Sequence, residues 1–83
     1  MTEYCVIAFA GTHAAMAAEK QLKSRVSVTM MPTPREISRG CGISIRFHPD
    51  DLEAVRSILS ASSLSSDLYR IYRYADGRFN PAM

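Results

Sequence analysis

The sequence predicts a single α+β domain over residues 1–74, with strands and helices in the order β-α-β-β-α-β. Three observations predict it. Apolar runs and period-two alternation mark four strands, apolar residues at spacings of three and four mark two helices, and 83 residues leave room for one modest core and no second domain. A hydrophobic content of 47% with 22% charged residues is the balance of a folded globular chain rather than a disordered one.

The first strand is the apolar run from Tyr4 to Ala10, bounded by Gly11-Thr12. A helix from His13 to Arg25 follows, with Thr12 placed to cap it and Ala15, Ala18 and Leu22 recurring on one side of an alanine-rich segment. Val26, Val28 and Met30 alternate with Ser27 and Thr29 as a half-buried second strand that Pro32 ends. Ile43, Ile45 and Phe47 alternate with Gly42, Ser44 and Arg46 as a third. Pro49 suits the first turn of the second helix, Asp50 and Asp51 favour its positive end, and Leu52, Val55 and Leu59 form its apolar stripe. The serine-rich stretch Ser60–Ser66 reads as its end and a loop, and Leu68–Tyr74 as a fourth strand of high β-propensity. Residues 75–83, with Gly77 and Pro81 and little to bury, are expected to form a flexible tail.

This order is the split βαβ pattern of a ferredoxin-like sandwich: a four-stranded antiparallel sheet with two helices on one face. The first strand is apolar in both of its alternating sets, Tyr4-Val6-Ala8 and Cys5-Ile7-Phe9, so the face without helices also has something to cover. A homodimer is one way of covering it.

A net charge of +2 permits an anionic ligand without demanding nucleic acid or an acidic membrane. No apolar stretch approaches the ~18 residues of a membrane span, and the N-terminus lacks a signal-peptide pattern, so a cytoplasmic location is expected. Two cysteines are too few for a secreted disulfide framework, and in a reducing compartment free thiols are the default.

In the expected topology the end of the first strand, the start of the first helix, the loop after the second strand and the start of the third share one edge. His13, Arg35, Arg39 and Cys41 therefore converge. The connection from Pro32 to Gly40 is longer than a tight hairpin turn and begins with a stiff Met31-Pro32-Thr33-Pro34 strut that holds Arg35 in place. Gly40 and Gly42 flank Cys41 without side chains, leaving its sulfur approachable. Arg35 and Arg39 with the helix N-terminus at Thr12 and His13 supply the positive charge that favours a nucleophilic thiolate. Cys41 also reads as a small residue packed at a strand start, His13 as an exposed first-turn residue, and the arginines as solvated loop charges.

Cys5 belongs to the core, on the order of 15 Å from Cys41 by strand geometry, too far for a disulfide. No metal or cofactor is expected, because His13, His48, Cys5 and Cys41 show no paired ligand spacing; His48 reads as a cap. Arg70, Arg73 and Arg78 near Tyr72 and Tyr74 read as alternation on an outer strand, and the RNA-recognition signature is absent, so nucleic acid is not an expected partner.

The segments Ala8-Phe9 with Thr12-His13, Ala18-Glu19-Lys20 with Leu22, and above all Pro32-x-Pro34-Arg35-Glu36-Ile37-Ser38 followed by Cys41-Gly42 resemble the bacterial selenium/sulfur carrier protein-like family. The similarity spans residues 3 to 74. It implies a small stand-alone carrier associated with selenium metabolism, with Cys41 holding sulfur or selenium and with donor and acceptor proteins as partners: a carrier more than an enzyme. Arg39-Gly40 stands where the family favours small serine-like residues, which adds a charge beside the thiol. The rival reading is a small-anion-binding or regulatory dimerisation module in which the cysteine is incidental.

Overall fold

The computed structural model describes residues 3–35, 37, 42–62 and 66–82. Five strands, β1 (Tyr4–Phe9), β2 (Val28–Pro32), β3 (Ile43–Phe47), β4 (Tyr69–Ala75) and β5 (Arg78–Pro81), form one sheet in the order β2-β3-β1-β4-β5. Every neighbouring pair is antiparallel. Helix α1 (Thr12–Leu22) connects β1 to β2, and α2 (Leu52–Ala61), entered through a 3-10 turn at Pro49–Asp51, connects β3 to β4.

Register sorts the side chains into two faces. Cys5 and Ile7 of β1, Ile45 and Phe47 of β3, and Tyr69 and Ile71 of β4 pack with Ala18 and Leu22 of α1 and Val55 and Leu59 of α2 into one core. Both helices therefore lie on the same face. The α1 contact is built from Ala14, Ala15 and Ala18, whose small side chains let the helix backbone approach the sheet. Complete burial of a side chain such as Leu59 contributes about 1.5–3 kcal/mol. Cys5 is fully buried, the core residue expected of it.

The strand count is corrected at the C-terminal end. The residues set aside as a tail include β5, which pairs with β4 from Tyr72↔Pro81 to Ala75↔Arg78, so the sheet has five strands rather than four. The hairpin is made by Asp76 at φ 54° and Gly77 at φ 77°, the two positive dihedrals that a two-residue reversal of the right hand requires. Pro81 is compatible with a strand because β5 lies at the sheet's edge, where one side of the backbone needs no donor. β4 is consequently an interior strand.

Smaller boundaries shift as well. Thr12 is the first residue of α1 rather than its cap; Gly11 occupies the cap position and makes no side-chain bond there. The helix stops at Leu22, not Arg25, because the Arg25 and Val26 amides both donate back to the Leu22 carbonyl in a closing turn. β2 then begins at Val28, a two-residue shift that preserves which side chains face the helices. His48 does act as a cap, its Nδ1 accepting from the Asp50 amide at 3.0 Å. No helix among the described residues is long and apolar enough to cross a membrane.

Candidate functional site at one edge of the sheet

β1 and β2 end at the edge where β3 and β4 begin, as the pairs Ala8↔Ser44, Pro32↔Ile43 and Phe9↔Tyr69 show. The N-terminus of α1 follows two residues after β1, so Thr12 and His13 belong to this edge, and both are exposed. The Ala10 amide donates to the Leu68 carbonyl at 2.9 Å and ties the exit of β1 to the entrance of β4.

The mouth of the β2–β3 connection is closed by two hydrogen bonds. Beyond the last strand pair, the Thr33 amide donates to the Gly42 carbonyl at 3.0 Å. The Thr33 and Ser44 hydroxyls share a hydrogen bond at 2.7 Å, and Ser44, although on the polar side of its strand's alternation, is fully buried. A Cβ at Gly42 would stand 3.0 Å from Thr33 Oγ1, a distance at which the neighbour must give way, so glycine suits this position by its size. Inside the mouth, the Ile37 amide donates to the Pro34 carbonyl at 3.0 Å, closing a turn that carries Arg35 into solvent. Pro32 ends β2 and Pro34 starts this turn, which places two fixed φ angles on the approach to Arg35.

Of the residues singled out by sequence, Arg35, Thr12, His13, Pro32, Pro34 and Gly42 are thus at one edge. Arg39, Gly40 and Cys41 lie outside the described residues. Glu19 is on the third turn of α1, about 10 Å along the axis from Thr12 and toward the opposite edge, so it is not part of this group.

Sequence reasoning missed a cleft at this edge. Its volume is about 270 Å³, and Ile37 of the connection meets Phe9, Ala10, Leu68, Arg70 and Tyr72 around it. The connection therefore reaches from β2 across to the ends of β1 and β4, and Arg70 adds a second exposed guanidinium to the edge. Thr12 and His13 are not among the described residues that line it. The signal for Ile37 was present as the single branched apolar residue in a connection otherwise of Pro, Thr, Arg, Glu, Ser and Gly.

The family model described as "Putative Se/S carrier protein-like" matches residues 4–70, from the first residue of β1 into β4. The chain belongs to this family. The Se/S carrier-like match includes the whole β2–β3 connection and both helices, and it ends before the Asp76-Gly77 hairpin, so β5 stands outside the matched span. No curated protein and no solved structure matches the chain.

Proposed function

We propose that Cys41 is a carrier thiol that takes up sulfur or selenium from a donor protein and delivers it to an acceptor at this edge. The observation that supports this most directly is Gly42. It is bonded covalently to Cys41, exposed, and tied to Thr33 at the mouth of a connection that also presents Arg35. Membership of a family described as carrier-like supplies the class of cargo. We read β1 to β4 as a ferredoxin-like sandwich to which β5 adds an edge, and the cytoplasm, where thiols stay reduced, as the compartment.

The chemistry is thiol exchange. The Cys41 thiolate attacks the terminal sulfur of a donor persulfide, a new S–S bond forms on Cys41, the donor's S–S bond breaks, and the donor thiolate leaves with its electron pair. A donor bearing selenium delivers it in the same way, forming an S–Se bond. Delivery reverses the roles: an acceptor nucleophile attacks the outer atom and the Cys41 thiolate departs. No external oxidant or reductant is consumed. Arg35 and Arg39 favour the anionic forms, as do Thr12 and His13 at the positive end of α1. Gly40 and Gly42 leave the sulfur approachable, and Pro32 and Pro34 limit how far the connection can swing.

The test is intact-mass analysis after incubation with a cysteine desulfurase and cysteine, or with a selenium donor. The wild-type protein should gain one chalcogen atom and Cys41→Ser none. Absence of loading across several donors, or loading retained in Cys41→Ser, defeats the assignment. A small-anion module with an incidental cysteine would instead keep its ligand affinity in Cys41→Ser.

A further inference from the structure

The sheet face opposite the helices is built unlike the rest of the molecule. Tyr4 of β1, Tyr72 and Tyr74 of β4 and Phe79 of β5 all point to it, as their register shows. The Tyr4 and Tyr74 rings stack at 5.0 Å, and Phe79 packs against Tyr74 at 4.7 Å, yet all four side chains are only half-buried. Arg46 of β3 and Arg70 of β4 project onto the same face and are exposed, and the Arg46 guanidinium sits 5.7 Å from the centre of the Tyr4 ring. None of the strand residues on this face is a carboxylate; Glu3, just outside β1, is already bonded to Arg73 at 2.7 Å. Each arginine shares a cleft with a tyrosine. Arg70 and Tyr72, with Asp67, line the cleft of about 270 Å³ at one corner, and Arg46 and Tyr4, with Glu3, line one of about 470 Å³ at the diagonal corner.

We propose that this face binds single-stranded nucleic acid, with a base stacked on Tyr72 and phosphates held by Arg46 and Arg70. The two arginines stand two strand spacings and two residue rises apart, roughly 12 Å across the sheet plane, with Val6 and Ala8 between them and Tyr72 beside that line, so an extended strand can meet both arginines as it passes the Tyr72 ring. Sequence-tolerant binding of unpaired strands uses this combination of aromatic platform and cationic track. A second copy of the chain fits less well. Apposing two such faces would bring four guanidinium groups together against carboxylates that sit at the rims, Asp67 in one cleft and Glu3, already bonded to Arg73, in the other, and burying incompletely paired charge costs several kcal/mol per ion. An acidic peptide would satisfy the arginines but offers the rings nothing to stack, and a duplex hides its base faces. β4 is not the outer strand expected for Arg70, Arg73, Tyr72 and Tyr74, because β5 covers its edge; the alternation itself holds where Tyr69 and Ile71 are buried on either side of exposed Arg70.

The experiment is fluorescence anisotropy of labelled twelve-nucleotide oligo-dT and oligo-U against a duplex of equal length, at 50 and 200 mM salt. The single strands should bind, and affinity should fall about 7-fold between the two salts if two phosphates are neutralised, a slope of about −1.4. Arg46→Gln with Arg70→Gln should flatten that slope. Tyr72→Leu, which keeps apolar bulk but removes the ring face, should weaken binding by about five-fold or more. Arg56→Ala, an exposed arginine on α2, should change nothing. Circular dichroism establishes that each variant is folded, and Tyr72→Phe, which keeps the ring, should bind as wild type. The proposal is overturned by no binding at 100 µM protein, by duplex bound as tightly as single strand, by affinity unaffected in the double arginine variant, or by a dimer in sedimentation velocity that Tyr72→Leu dissolves.

Discussion

At the scale of single residues, the Thr33–Ser44 hydroxyl pair does more to define the site than its chemistry suggests. Ser44 is fully buried, and its bond to Thr33 at 2.7 Å is what keeps that burial from costing a lost hydrogen bond. Thr33→Val should therefore destabilise the protein by about 1–3 kcal/mol, and adding Ser44→Ala should restore part of the loss, since removing both partners is less costly than orphaning one. Urea titration of the two single variants and the double variant measures this; strict additivity would contradict it. Cys5 shows a second residue-level effect. Burial pushes its thiol up, against a smaller downward pull from Arg73, so the folded protein holds this proton more tightly than the unfolded chain does. Its contribution is thus intact below the ordinary cysteine range and is lost as pH rises through that range toward the higher folded value. The drop in urea midpoint between pH 7 and pH 10 should be smaller in Cys5→Ala than in the wild type. Under native conditions at neutral pH, alkylation should label Cys41 and spare Cys5; rapid labelling of Cys5 would contradict its placement in the core.

At the scale of elements, the β4–β5 hairpin is the feature that the sequence displayed and the tail reading passed over. Asp-Gly between Tyr72-Tyr74 and Phe79 is the strongest short-range hairpin signal a sequence offers. Gly77 and Pro81 instead suggested mobility, because each breaks regular structure when taken alone. The structure gives both a place: Gly77 at a positive φ, Pro81 on an outer strand. Gly77→Val should cost about 1–3 kcal/mol, the penalty for a side chain at that dihedral, with nothing crowding the position to add to it. A melting temperature unchanged by Gly77→Val would mean the hairpin contributes little. The other elements were legible to within a few residues, because alternation and three-four spacing report directly on which side chains must be buried. Ends such as Leu22 and Gly11 were not, since they depend on amides and carbonyls that no side chain advertises.

At the scale of the whole molecule, the extents are 32 × 28 × 19 Å, with both helices over one side of the sheet and, among the described residues, no helix over the other. The need to cover the second side was legible in the two apolar sets of β1, and Val6 is indeed fully buried there, flanked by Arg46 and Tyr72. What fills that side was not, because the aromatic group assembles from residues 4, 74 and 79, brought together only by the sheet. A domain of this size has one core and little reserve. Leu59→Ala, which empties the centre of the α2 contact, should remove about 2–5 kcal/mol and leave a large unfolded fraction at 37 °C by circular dichroism. Stability close to wild type would mean that the helix layer collapses readily into the gap.

The position of β1 has a consequence for how the protein is made. It is the middle strand, with Val6 paired to Arg46 on one side and Tyr72 on the other, so the segment synthesised early waits for both late neighbours. Until β4 leaves the ribosome, the nascent chain displays an apolar ribbon with one unsatisfied border, the kind of surface that chaperones shield and that neighbouring polypeptides on a polysome can capture.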